Sequence, residues 1–492
     1  MAGYDFDLGI IGGGAAGLTA AAGGARLGAK TLLIEREPHL GGDCLHYGCV
    51  PSKTLIASAK VYHSMRNAQQ WGLPACDPGP VDFTRVAERI RSVIARIQRH
   101  DSPQRFCQLG AKVVFGAPEF IDEHSLRVNG ETFSAEKWLV ATGSSPAVPN
   151  IPGLKDVSYL TNRDLWALDE LPDSLIILGG GAVAVEMAQA FQRLGSSVTI
   201  LQRSRQLLSN EDTDIAGMVA AKLRQEGVSV RLNAHVTTVG EAFGQKEVWF
   251  ADDTGMQRLV RAKALLVAMG RAPNVTGLGL HNAGVAYTEK GVPTDRRLRT
   301  SSTDIYAAGD VLGKWQFTHA AGYEAGVALT NAVARLPRKA NYQFMPVATY
   351  CDPELAGVGM TYRQARAADL DVTTHVQPFA ENDRALAENT PDGMIKMVVD
   401  SQGQVLGVRI LGPRAGDLIG EWVTVLSGGV RLSKLAQSVH PYPTLGEINR
   451  RAAGEYLAPK VFEGVAPKLL KVIFGLKGRA CELPGSQEAA KS

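Results

Sequence analysis

The chain has 492 residues, more than one hydrophobic core supports, and so predicts about three domains. A hydrophobic fraction of 45% and a net charge of +3 describe a globular protein, with no basic-aromatic stripe for nucleic acid and no apolar run long enough to span a bilayer. The opening MAGYDFDLGIIGGG has no basic region before its apolar run, and the six cysteines contain one close pair, so a reducing, cytoplasmic setting is expected.

Asp7-Leu8-Gly9-Ile10-Ile11 predicts a strand. Gly12-Gly13-Gly14-Ala15-Ala16-Gly17 predicts a tight turn, and the Ala-rich stretch behind it a helix. Gly12 permits the turn, Gly14 lets the backbone approach a pyrophosphate, and Gly17 lets helix pack on strand. The phosphates would sit on the helix N-terminus. A lone GxGxxG is a weak signal, but Thr31-Leu32-Leu33-Ile34 predicts a second strand ending in Glu35, placed to accept a ribose hydroxyl. Together they point to a bound dinucleotide.

Cys44 and Cys49, separated by four residues, can close a small disulfide ring, with Gly48 allowing the backbone to fold between them. Pro51-Ser52-Lys53 reads as the first turn of a helix, whose N-terminus would favour a thiolate at Cys49. A static staple or half of a metal site are the alternatives. Zinc would want a second Cys/His pair at similar spacing, and none follows.

The segment GGDCLHYGCVPSK, residues 41–53, resembles the active-site segment of the class I pyridine nucleotide–disulfide oxidoreductases, with His46 where that family commonly has Asn. The resemblance runs over about residues 4–455. It implies an α/β architecture of two Rossmann-like dinucleotide-binding domains, for FAD and NAD(P), with a C-terminal α+β dimerisation domain. The boundaries expected are 1–150 and 271–340 for the FAD domain, 151–270 for the NAD(P)H domain, 341–457 for dimerisation, and 458–492 for a basic amphipathic tail. Arg36, Gly42, Asp43 and Ala117 join the expected FAD site on the same resemblance.

Residues 54–110 read as mostly helical, with helices over Val61–Gln70 and Phe83–Gln108, and Trp71–Pro80 as a loop. Cys76 and Cys107 read as isolated thiols. Val113–Gly116 and Ser125–Val128 are expected as strands of a small antiparallel insertion. Lys137–Gly143 predicts a strand ending in Ala141-Thr142-Gly143, which the resemblance brings close to the FAD, and Ser144–Gly153 reads as a linker.

Ser174–Leu178 leads into a second fingerprint, Gly179-Gly180-Gly181-Ala182-Val183-Ala184, so two dinucleotides are expected. Gly179, Gly181 and Ala184 repeat the roles of Gly12, Gly14 and Gly17. The strand Ser197–Leu201 ends in Gln202-Arg203-Ser204-Arg205, where an NAD site would place a carboxylate. Losing the acid removes repulsion of a 2′-phosphate, and Arg203 or Arg205 supplies a bidentate partner for it. NADPH is the expected cofactor, with NADH left open.

The resemblance pairs Glu186 with Lys53 beside the flavin. It makes Val267–Asn274, through Gly270, the return to the FAD domain, and Thr303–Asp310 a strand whose terminal Asp310 contacts the flavin ribityl chain. Phe317-Thr318-His319-Ala320 would start a helix aimed at the flavin pyrimidine, with His319 an ordinary helix-start residue.

From about Tyr342 the chain reads as strands and helices without fingerprints, with strands at Val347–Tyr350, Met394–Val398 and Gln404–Ile410. The resemblance makes this a homodimerisation domain that lends His440-Pro441-Tyr442-Pro443-Thr444-Leu445-Gly446-Glu447 to the partner's active site. In dithiol-oxidising members a His precedes Pro-Thr and pairs with the later Glu as general acid–base. Here Tyr442 holds that place and His440 lies two residues upstream. A tyrosine near its usual pKa of about 10 donates protons but is a poor base. Mercuric reductases also carry a Tyr in this neighbourhood but add a C-terminal Cys-Cys, whereas only Cys481 stands there in this chain.

In the tail, Val465, Leu469, Val472, Ile473 and Leu476 fall at helical spacing among Lys468, Lys471, Lys477 and Arg479. Such a helix can dock on its own protein or dimer mate, bind a partner, or lie on the inner face of a membrane. Residues after Glu482 are expected to be disordered.

The resemblance therefore implies hydride transfer from the nicotinamide to FAD, opening of the Cys44–Cys49 disulfide through Cys49, and exchange at Cys44 with substrate. Tyr442, His440 and Glu447 of the partner would manage protons. The substrate expected is a small disulfide or dithiol or a lipoyl carrier protein, as in dihydrolipoamide dehydrogenase. The alternative is a soft metal ion, Hg(II) or Cu(II), taken as substrate; no resident metal is expected.

Overall fold

The computed structural model describes residues 3–477 and 480, so the expectations for Arg479, Cys481 and the end after Glu482 lie outside the described residues. The chain forms two compact units, Met1–Met345 with Thr349–Asp352, and Pro346–Ala348 with Pro353–Ser492. Among the described residues no helix is long and apolar enough to cross a membrane.

The first unit begins β1 (Phe6–Ile11), α1 (Ala15–Arg26), β2 (Thr31–Glu35), α2 (Gly42–His46), α3 (Cys49–Arg66), α4 (Phe83–Gln98), α5 (Pro103–Leu109), β3 (Ala111–Phe115), β4 (Pro118–Phe120), β5 (Ser125–Val128), β6 (Glu131–Val140) and β7 (Ser144–Pro146). β1 and β2 are almost continuously apolar because they lie inside a parallel sheet and are covered on both faces. Burying Leu8, Ile10, Leu32 and Leu33 there contributes about 1.5–3 kcal/mol per side chain. β6 serves two pairings: its second half runs parallel to β1, and its first half runs antiparallel to β5.

Three expectations for this region change. The first helix starts at Cys49 and ends at Arg66, with a single 3₁₀ turn over Ala68–Trp71, so it is displaced from Val61–Gln70. The helix expected over Phe83–Gln108 is broken, because Pro103 cannot continue a helix and instead opens α5, capped by the Ser102 hydroxyl accepting from Arg105 N at 3.3 Å. β3 pairs parallel with β2, so it belongs to the main sheet; only β4 and β5 with β6 make the antiparallel part.

The unit continues with β8 (Ser174–Leu178), α6 (Ala182–Leu194), β9 (Ser197–Leu201), α7 (Thr213–Gln225), β10 (Ser229–Arg231), β11 (His235–Ala242), β12 (Gln245–Ala251), β13 (Gln257–Ala262) and β14 (Ala264–Val267). Strands β10, β9, β8 and β14 form a second parallel sheet, and β11–β13 an antiparallel meander. β15 (Arg271–Pro273) then pairs with β7, and β16 (Ile305–Ala307) joins β6, returning the chain to the first sheet before α8 (Thr318–Ala332).

The second unit holds a five-stranded sheet of β17 (Val347–Thr349), β18 (Glu354–Gly359), β19 (Val372–Pro378), β20 (Met394–Asp400) and β21 (Val405–Gly412), in the order β17-β18-β21-β20-β19. Helices α9 (Tyr362–Ala367), α10 (Asp383–Ala387), α11 (Ala415–Ser427), α12 (Leu432–Gln437), α13 (Glu447–Phe462) and α14 (Val465–Phe474) complete it. The wholly buried Trp422 of α11 donates to Asn449 Oδ1 of α13 at 2.8 Å and locks the two helices together.

Candidate active site

The cysteine segment is docked directly on the first glycine-rich turn. Gly41 N donates to Gly13 O at 2.8 Å, and a Cβ on Gly42 would meet Gly14 Cα at 2.6 Å, so only glycine fits where the two backbones meet. Cys44 then lies in α2, and Cys49 is the first residue of α3.

Both cysteines are free thiols, with their sulfurs in hydrogen-bonding contact. The Cys44 thiol, donating to Cys49, holds the Cys49 pKa down at about 6, and the Thr318 hydroxyl and the Lys53 charge act in the same direction. Cys49 is accessible to solvent, yet the protein surrounds its sulfur closely enough for desolvation to oppose ionisation. Cys44 is pushed strongly upward, first because its proton is shared with Cys49 and then by burial. The pair is therefore asymmetric: Cys49 is a thiolate at neutral pH and Cys44 keeps its proton.

Lys53 Nζ lies 2.8 Å from Glu186 Oε2, joining α3 to α6. Glu186 is buried and its Oε1 accepts from Tyr350 N at 2.8 Å, while Lys53 Nζ sits 4.5 Å from the Tyr350 ring centroid. Asp310, which follows β16, accepts from Ser144 Oγ at 2.5 Å, and burial raises its pKa. Arg271 bridges the acids, 3.0 Å from Asp43 and 3.6 Å from Asp310. Thr142 and Asn274 bond each other across β7 and β15, Thr142 Oγ1 donating to Asn274 O at 2.7 Å and Asn274 Nδ2 to Thr142 O at 2.8 Å. Phe317 caps α8 without a side-chain bond, Thr318 Oγ1 lies 3.5 Å from Cys49 Sγ, and the His319 ring stacks on Phe317.

The first turn fits the FAD that its sequence calls for. A Cβ on Gly12 would strike Ala141 O at 2.3 Å, and one on Gly17 would strike Gly12 O at 1.8 Å. The first turn of α1 carries no side-chain cap, which leaves Ala15, Ala16 and Gly17 N–H groups as anion donors. Glu35 ends β2 with Oε2 accepting from Gly13 N at 2.5 Å. Arg36 and Ala117 are exposed just beyond β2 and β3. In the second turn a Cβ on Gly179 would strike Ala268 O at 2.3 Å, Gly181 has open space, and Ala184 is buried. Gln202 lies against Gly180 and donates to Gln206 O at 3.2 Å; Arg203 and Arg205 are exposed and form no ion pair among the described residues. Gly270 has φ +122° directly before β15.

In the second unit, Tyr442 is 70% exposed and its hydroxyl donates to Asp383 Oδ2 at 2.9 Å, which raises its pKa. His440 Nε2 lies 3.0 Å from Glu421 Oε1, and Asn449 Nδ2 donates to Glu421 Oε2 at 2.8 Å. Glu447 is ion-paired with Arg450 at 3.6 Å. The expected carboxylate partner of the acid–base group, Glu447, is thus engaged on its own helix, while Glu421 holds His440.

Several contributors have no sequence signal. Asn162 Nδ2 and Trp166 Nε1 both donate to Tyr47 O, at 3.0 and 2.9 Å, clamping the loop between the cysteines from residues more than a hundred positions away. Asp383 and Glu421 stand 59 and 19 positions from Tyr442 and His440, the residues they hold. Glu324 had a faint one, being an acid in an apolar helix; it accepts from Gly309 N at 2.7 Å and Tyr342 OH at 2.8 Å, and burial lifts its pKa to about 7.

The profile described as pyridine nucleotide-disulphide oxidoreductase matches residues 6–325, and the dimerisation domain of that family matches residues 345–453. The chain belongs to this family. Its members use FAD and NAD(P)H, and the matching dimerisation domain supports a homodimer. A mercuric reductase of Staphylococcus aureus is 35% identical over 451 residues, 91% of this chain and 82% of the relative. A dihydrolipoyl dehydrogenase of Bacillus subtilis is 35% identical over 450 residues, 89% and 96% of the two chains. Among solved structures, the Cu(II) complex of the HOCl-induced flavoprotein disulfide reductase RclA from Escherichia coli superposes with a TM-score of 0.82 at 31% identity, covering 92% of this chain and 100% of that one.

Proposed function

We propose that this protein is an NADPH-dependent reductase that passes electrons in pairs through Cys44 and Cys49 to soft metal ions, two electrons to one Hg(II) or one to each of two Cu(II). The observation that carries this reading is Tyr442. Its hydroxyl donates its proton to a hydrogen bond with Asp383 and its pKa is raised, so it is poorly suited to take a proton from an incoming dithiol. A soft ion needs no such base, because thiolate sulfur binds it directly. Relatives named for mercuric reduction, and a structural neighbour that binds Cu(II), support the same acceptor.

Bound FAD supplies the relay between the nicotinamide and the cysteine pair. The chain then arranges the charges. Lys53 favours the Cys49 thiolate and Glu186 compensates the ammonium in its buried surroundings, while the Thr318 hydroxyl solvates the sulfur. Cys44 retains its proton until the acceptor's own positive charge displaces it, after which two sulfur ligands hold the ion. Two electrons leave the pair, the one proton still held by Cys44 is released, and the disulfide is restored; a single Hg(II) takes both electrons to become Hg(0), or two Cu(II) ions take one each to become Cu(I). At the nicotinamide site the absence of a carboxylate after β9, with Arg203 and Arg205 exposed nearby, supports NADPH.

The test is anaerobic NADPH oxidation by the FAD-loaded dimer with Hg(II), Cu(II) or oxidised lipoamide as sole acceptor. Oxidation that depends on the metal ion supports the proposal; oxidation that depends on lipoamide alone rejects it. A second reading, dihydrolipoamide oxidation, is favoured by the His440–Glu421 pair, which is a histidine–carboxylate couple steadied by Asn449.

A further inference from the structure

The last part of the chain exposes a surface that the redox chemistry does not use. α13 is anchored by the buried Ile448, Asn449, Ala452 and Ala453, but this burial stops before its C-terminal end. From Pro459 to Lys477 every residue except Gly464 and Pro467 is exposed, and α14 has no buried residue. The exposed side chains are large and apolar: Phe462 is 73% accessible, Val465 78%, Val472 82% and Phe474 68%. Val465, Leu469, Val472, Ile473 and Leu476 recur at spacings of three, four and one along α14 and its cap and share one side, which Lys468 and Lys471 border. Between Gly464 and Lys477 there are three lysines and no acid.

We propose that α14, with the end of α13, lies flat on an anionic lipid bilayer and tethers the enzyme there. An occupant of this face has to accept aliphatic and aromatic side chains and also meet a row of lysines with negative charge. The interfacial zone of an anionic membrane does both, with the apolar face in the acyl boundary and the ammonium groups reaching the headgroups. Pairing of α14 with its own copy fits poorly, because it would set lysines against lysines with no acid on either helix. The ten-residue length of α14 suits a helix lying on a surface and is too short to cross one.

The experiment is co-sedimentation of the FAD-loaded full-length protein with phosphatidylcholine vesicles, with and without phosphatidylglycerol, read beside its size in solution. The expected result is sedimentation with anionic vesicles only, weakened by salt. Lys468→Glu with Lys471→Glu should weaken it at least about tenfold, given the usual contribution of each lysine at an anionic surface. Leu469→Ser with Ile473→Ser should weaken it as well, and NADPH oxidation should be unchanged in both variants. The proposal is overturned if neither vesicle type is bound, or if both variants sediment like the parent. It is equally overturned if the Ser variant changes the oligomeric state of a protein that binds no vesicle, since a second copy then covers the face.

Discussion

The chain builds the same strand–turn–helix twice, and the two copies differ where their chemistry differs. Gly12 and Gly179 take φ of +106° and +117°, and a Cβ on either would strike the carbonyl of an alanine on the neighbouring strand, Ala141 or Ala268, at 2.3 Å. The second glycine of each turn faces the residue that ends the next strand, Glu35 against Gly13 and Gln202 against Gly180. One methyl group separates the helices: a Cβ on Gly17 would lie 1.8 Å from Gly12 O, whereas Ala184 carries one, so α6 cannot approach its turn as closely as α1 does. The residues beyond the second strand of each copy differ most. After β2 comes the cysteine segment, held by Gly41 and Gly42; after β9 come Arg203 and Arg205. A shared backbone thus builds the same turn twice, and the side chains beyond the second strand of each copy set the two apart.

The largest expected effect removes the cysteine chemistry from the first copy. Cys44→Ser should abolish acceptor-dependent NADPH oxidation, a loss of at least about a thousandfold, while keeping Cys49 titratable. Measured steady-state turnover near the parent value would break the account. Next, Glu35→Gln removes a carboxylate held at the end of β2 and should weaken FAD retention about a hundredfold, from the loss of charge-assisted hydrogen bonds. Gln202→Glu should leave FAD retention unchanged; flavin fluorescence released on dilution measures both.

Glu324 anchors Gly309 beside the first copy by accepting from its N–H at 2.7 Å. Its folded pKa is raised from 4.5 to about 7, so between these values the folded state binds more protons than the unfolded state. Stability should therefore fall as pH rises from about 4.5 to 7, by on the order of 2 kcal/mol, and Glu324→Gln should flatten that slope in urea titrations. The smallest effect sharpens the contrast between the two strand ends. Arg203→Ala should lower kcat/KM for NADPH about tenfold and spare NADH, as expected for a lost contact to a 2′-phosphate. An unchanged ratio would remove Arg203 from the site.

Where one stretch of sequence contains its own geometry, the structure was legible in it. The glycine turns, Glu35, Gln202 and the helical turn over Pro51–Lys53 each depend on neighbours within a few residues or on one strand. The Lys53–Glu186 pair came from the family resemblance, since no local pattern links residues 133 positions apart, and the two side chains lie 2.8 Å from each other. Misreadings fell where apolar spacing was ambiguous. The pattern over Phe83–Gln108 continues across Pro103 although the backbone cannot, and β3 reads like β5 although one runs in the parallel sheet and the other does not. The clamp of Asn162 and Trp166 on Tyr47, and the partners Asp383 and Glu421, are set by folding at a distance, so no local pattern announces them.

The central claim is that electrons flow outward from NADPH through an asymmetric thiol pair that has no efficient base for an incoming dithiol. Anaerobic rapid mixing of the oxidised, FAD-loaded dimer with NADPH or with dihydrolipoamide, followed through the long-wavelength absorbance of a thiolate beside the flavin, tests this directly. The account predicts that NADPH raises the band, that the band fades as pH falls through about 6 with protonation of Cys49, and that dihydrolipoamide raises it only slowly. Rapid appearance with dihydrolipoamide at neutral pH would contradict the account and place the base at His440.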